Sequence, residues 1–89
     1  MTYSATIEHY GHDAVIARKE DFPDRTSAWK WVIEEAERRW AGSTLIDKLQ
    51  RWSKRDPTEP YESAVVFDVR ESGDPAYGLQ VAVTVSARG

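Results

Sequence analysis

Residues 26–55, TSAWKWVIEEAERRWAGSTLIDKLQRWSKR, hold all four tryptophans and the helical periodicity of the chain, and the tracts on either side alternate like strand. A helical centre between two extended arms constrains the fold more than any other feature. Each arm contains a turn signal and reads as a hairpin, so the element order is β-β-α-α-β-β. The economical arrangement is an α+β domain: one four-stranded antiparallel sheet with one or two helices packed on one face. The other face of that sheet would be small and polar, free to be solvated or to stack weakly in a dimer.

The helical stretch has its own punctuation. Asp24 or Thr26 can cap its N-terminus by accepting a hydrogen bond from a free backbone N–H. Trp29, Ile33, Ala36 and Trp40 fall at i, i+4, i+7 and i+11, within about 60° of one another on a helical wheel, and predict the core face. On that reading Trp40→Ala costs ~3–5 kcal/mol. Gly42 offers a C-terminal stop and Ser43 a new N-cap, so two helices are expected, the alternative being one helix kinked at Gly42. Leu45, Leu49 and Trp52, flanked by Ile46, form the apolar stripe of the second helix over 43–55. Asp56, placed before Pro57, ends it.

The first arm alternates from Thr2 to Tyr10, with Tyr3, Ala5, Ile7 and His9 on one side. Gly11-His12-Asp13 is turn chemistry, and Ala14 to about Glu20 returns as an edge strand guarded by Arg18 and Lys19. Phe22-Pro23 closes it. In the second arm Tyr61 to Glu71 reads as a strand with Tyr61, Val65, Phe67 and Val69 in phase. Ser72-Gly73-Asp74-Pro75 is a turn, and Tyr77 to Val85 is the strongest strand signal, with Tyr77, Leu79, Val81, Val83 and Val85 on one face.

At 89 residues the chain reads as a single compact domain, 1–89, near the size at which one core suffices. With no cysteine, disulfides and cysteine-ligated metals are excluded. The N-terminus lacks the basic and apolar regions of a signal peptide, and no apolar run approaches the ~20 residues that span a bilayer, so a cytoplasmic protein with no membrane contact is expected. The net charge of −3 conceals a division. Positions 38–55 hold six basic residues (Arg38, Arg39, Lys48, Arg51, Lys54, Arg55) and one acid, Asp47, for a net of +5, which leaves −8 on the rest of the chain. Such polarity bears on partners more than the total does.

No catalytic motif stands out. No serine sits in a G-x-S-x-G elbow, the glycines are scattered at turns rather than gathered in a phosphate loop, and Glu34 and Glu35 diverge by ~100° on a helix. His9, His12 and Asp13, with Glu8 beside them, are the metal-like cluster, but three ligands on one turn without a distant fourth are more readily a polar hairpin tip. No cofactor is implied. Lys48, Arg51 and Arg55 share one helix face, with Lys54 adjacent and Arg38 and Arg39 from the preceding helix. That stripe could follow a phosphate backbone or meet an acidic protein, or simply complement the helix dipole. Trp31 lies about 160–180° from the core stripe on the wheel. Either the second helix folds back over it, with Trp52, or it stands on the surface as an interface anchor. Carboxylates at Glu20, Asp21, Asp24, Asp56, Glu59 and Glu62 either maintain solubility or mimic a phosphate backbone.

These features favour a small non-enzymatic protein-binding module. It would act as a regulator or inhibitor through Trp31, Arg38, Lys48, Arg51, Lys54 and Arg55 on a larger protein or nucleoprotein, as a monomer or weak homodimer. Its compact accessory character also suits a phage or mobile-element product. The alternatives are nucleic-acid binding through the basic helix and a metal-dependent hydrolase at the His9/His12 hairpin.

Overall fold

The structure, a computed structural model, describes residues 2–12, 14–55 and 65–88. Strands β1 (Thr2–His9) and β2 (Ala14–Phe22) are followed by helices α1 (Arg25–Arg39) and α2 (Thr44–Ser53), then strands β3 (Val65–Asp68) and β4 (Gln80–Arg88). The four strands form one antiparallel sheet in the order β2-β1-β4-β3. This is the α+β architecture that the alternation of the arms predicts. Its strand order follows from β4 pairing with β1 from Thr2↔Arg88 to His9↔Val81, which closes the two arms around the helices.

One face of the sheet is the core. Ala5 and Ile7 from β1, Val81, Val83 and Val85 from β4 and Phe67 from β3 are buried against Ala28, Trp29, Val32 and Ala36 of α1 and Leu45 and Leu49 of α2. α1 lies over β2, β1 and β4, whereas α2 lies over the β3 edge. Period-2 alternation makes this possible, because it places every second residue of each strand on one side.

Chain punctuation follows local chemistry. Asp24 caps α1, its carboxylate accepting from the Ser27 N–H at 2.7 Å. α1 stops at Trp40, Gly42 adopts φ +84°, and Ser43 caps α2 by accepting from the Leu45 N–H at 3.1 Å. Two helices therefore form in place of one kinked helix, because a left-handed residue cannot continue an α-helix.

Four expectations are corrected. The core stripe of α1 is Trp29, Val32 and Ala36 with Ala28, while Ile33 and Trp40 are only partly buried. Trp29 and Ala36 keep their expected places, and Ala28 and Val32 take the buried positions in place of Ile33 and Trp40. β2 runs two residues beyond Glu20, with Asp21 at φ +66° in a register shift that lets Phe22 pair with Tyr3. β4 begins at Gln80 rather than Tyr77, because Gly78 at φ +78° turns the chain and leaves Tyr77 exposed. It then continues past Val85 because β1 offers ladder partners as far as Thr2. β3 ends at Asp68 rather than Glu71, and the expected start at Tyr61 lies outside the described residues.

Candidate functional site

α2 is amphipathic in a way that sorts its residues onto three sides. Leu45 and Leu49 go to the core, Trp52 is half-buried, and Lys48 and Arg51 run beside Trp52 at i and i+3; the helix ends at Ser53 rather than at Arg55, so Arg55 lies in the turn beyond it. The helix start is fixed from another part of the chain. Asp74, in the loop between β3 and β4, accepts from the Thr44 N–H at 2.8 Å and its hydroxyl at 3.0 Å, and from the Ala76 N–H at 2.8 Å. The Ser43 hydroxyl, together with these donors, holds the Asp74 carboxyl down at a pKa of about 2. A carboxylate at a helix N-terminus also favours the helix dipole.

At the other end, Trp52 meets Phe67 of β3 edge-on, with ring centroids 6.4 Å apart and planes at 88°. The Arg55 guanidinium lies 4.2 Å from the centroid of the Trp52 ring. Lys48 reaches across the sheet edge and donates from Nζ to the Asp68 carbonyl at 2.8 Å. These residues together line a shallow hollow of about 270 Å³: an aromatic floor of Trp52 and Phe67 within a rim of Lys48, Arg51 and Arg55. Neither Arg51 nor Arg55 forms an ion pair among the described residues. Asp68 at the end of β3 is held by Arg70 and Gln80, and the Arg70 bond lowers its pKa first of all.

The remaining residues of the expected binding set do not join this hollow. Arg38 is paired with Glu35 one turn earlier, and Arg39 also contacts Glu35, at 3.4 Å, while donating to the Ile16 carbonyl of β2. Lys54 lines a separate groove of about 530 Å³ between the helices, where Lys30, Glu34 and Glu37 mix both charge signs. Trp31 is neither roofed by α2 nor fully exposed. It is half-buried against Phe22 at the end of β2, with centroids 5.8 Å apart, whereas Trp52 packs over β3. Since β2 and β3 are the two opposite edges of the sheet, the two tryptophans serve different ends of the molecule.

At the first hairpin, His9 and His12 meet edge to face with centroids 5.9 Å apart. Asp13 lies outside the described residues, and Glu8 is on the opposite face of β1 from His9. Among the described residues no three His, Asp or Glu side chains gather as a metal set.

Phe67 is the member of the hollow that sequence reasoning missed. Its phase marks it as core, but nothing in the sequence says that β3 passes beneath α2. In comparisons with protein-family models, curated proteins and solved structures, the chain matches none.

Proposed function

We propose that the protein is a non-enzymatic binding module that docks an acidic segment of a larger protein on the α2 face, as a regulator or inhibitor does. One observation carries this reading: three cations surround a partly exposed aromatic floor, and two of them have no ion-pair partner among the described residues. Such a hollow suits an apolar side chain flanked by carboxylates. The aromatic pair would supply contact area, and the charges would supply orientation and on-rate. The anchor is Trp52 with Phe67, rather than Trp31.

Nucleic acid is the second reading, favoured by the pairing of an aromatic with cations, which is how single strands are held. Two features place it second. The face of Trp52 on which a base would stack already carries the Arg55 guanidinium. Outside 38–55 the chain has a net charge of −8, which repels an extended polyanion.

Fluorescence anisotropy of a labelled acidic peptide with a central phenylalanine, set beside a labelled single-stranded oligonucleotide, separates the two. Saturable peptide binding that weakens about tenfold or more in R51E/R55E is expected, as for losing close charge pairs. Tighter binding of the oligonucleotide, with a log-linear salt slope, replaces the first reading with the second. Binding of neither removes both.

A further inference from the structure

The outer edge of β3 adjoins the α2 hollow, and the phase of its pairing determines which backbone groups it presents. The Gln80 carbonyl accepts from the Tyr10 N–H on the β1 side, and the Leu79 carbonyl accepts from the Val69 N–H on the β3 side. Successive residues of a strand turn these groups to opposite sides, so Val81 and Val83 exchange bonds with Phe67 and Val65. The N–H and C=O of Val66 and Asp68 consequently face outward. The Asp68 carbonyl agrees, since it accepts from Lys48 Nζ at 2.8 Å rather than from a strand. Among the described residues no strand lies beyond β3. Lys48 also lines the hollow, so the hollow opens onto this edge.

We propose, as a deepening of the α2 reading on which it rests, that the acidic segment binds as an added strand, antiparallel to β3, with its apolar anchor opposite Phe67. Residues directly opposite in neighbouring strands share a face of the sheet. Phe67 is buried on the helix side at 8% exposed, while Val66 is 43% exposed on the other. The anchor therefore enters the hollow beside Trp52 and Phe67. Residues two positions to either side of it come to the same face, near Lys48, Arg51 and Arg55. Residues one position to either side lie opposite Val66 and Asp68, exchange backbone hydrogen bonds with them and turn their side chains away. The preferred segment reads acid, any, apolar, any, acid in extended form.

Charge complementarity argues for this occupant. Neither Arg51 nor Arg55 has an ion-pair partner among the described residues, and Lys48 donates to a neutral carbonyl. In the free protein that lysine blocks indiscriminate pairing at the edge. An arriving N–H takes over the Asp68 carbonyl, and Nζ turns to a carboxylate two positions from the anchor. A neutral strand gives the displaced cation no partner, so the edge selects for acid. Antiparallel addition continues a sheet in which every pair is antiparallel. At the opposite edge β2 has two register shifts and mixes both charge signs over Arg18, Lys19, Glu20 and Asp21, which suits a regular acidic strand less.

Anisotropy with labelled peptides tests it. The parent peptide has a central phenylalanine, glutamate two positions to either side and threonine elsewhere. Backbone N-methylation of the two residues flanking the phenylalanine is expected to weaken binding about tenfold or more, because those N–H groups face Val66 and Asp68. N-methylation of the phenylalanine itself, whose N–H faces away from β3, is expected to leave affinity within about twofold. Moving the glutamates next to the phenylalanine is expected to weaken binding about threefold or more. In hydrogen exchange, the Val66 and Asp68 amides should gain protection with the parent peptide. Equal affinity of the two N-methylated forms, or unchanged affinity on moving the glutamates, overturns the added strand, while binding of the parent keeps the α2 reading. No binding of the parent removes both. Val66 and Asp68 amides already protected in free protein that sediments as a dimer give the edge to a second copy and overturn the proposal as well.

Discussion

Trp29 is the residue on which the core depends most. It is 2% exposed and sits between the helices and the sheet, and the Arg25 guanidinium lies 5.8 Å from its ring centroid. Its indole N–H finds no partner among the described residues, so its contribution is packing rather than hydrogen bonding. Trp29→Ala should cost ~3–5 kcal/mol, a large share of the stability of a domain this small. Trp40→Ala should cost clearly less, since Trp40 is only partly buried. Urea midpoints of the two variants check the ranking, and an equal loss would return Trp40 to the core. Asp74 is the other residue with long reach, since it joins the β3–β4 loop to the start of α2. Its carboxyl pKa is lowered in the folded state to about 2 from an ordinary 3.8, so the stabilisation is complete above pH ~4 and fades as pH falls toward 2. Thermal melts should show D74N losing stability at neutral pH and showing a shallower decline between pH ~4 and ~2 than wild type.

At the scale of elements, legibility divides along a physical line. Periodicity and punctuation were sufficient wherever the determinant was local. The Gly42-Ser43 break, the Asp24 cap, the clean alternation of β1 and the edge character of β2 all follow from neighbouring residues. Where a distant element decides, the sequence fell short. The end of β4 at Arg88 depends on Thr2 of β1, eighty-six residues away in the chain. The side of α1 that faces the core is set by what it packs against, so Ala28 and Val32 are buried where the wheel stripe put Ile33 and Trp40. Trp31 is a further case: it is partly buried against the core because β2 continues through Asp21 and brings Phe22 against it, which the wheel does not show. Part of the candidate site was legible in the same way: Lys48 and Arg51 share a face of α2 by spacing, whereas Arg55 lies past the helix end and reaches the site over the Trp52 ring. Phe67, which completes the floor, depends on β3 lying under α2.

At the scale of the whole molecule, the α2 face is cationic and aromatic. Arg38 and Arg39 are drawn into contacts within the domain, so the positive field narrows from the whole 38–55 stretch to one end of the helical layer. R51E/R55E should consequently change partner affinity while leaving the melting temperature nearly unaltered, because neither side chain ties elements together. The four tryptophans make the central claim accessible in a single experiment. Each indole N–H gives its own signal in a ¹H–¹⁵N spectrum, so a titration with the acidic, phenylalanine-centred peptide reports on both ends of the sheet at once. The account predicts that the Trp52 indole and the amides of Lys48, Arg51, Arg55 and Phe67 shift and saturate together, while Trp31 stays still. Shifts centred on Trp31 and Phe22, with Trp52 unmoved, would contradict it.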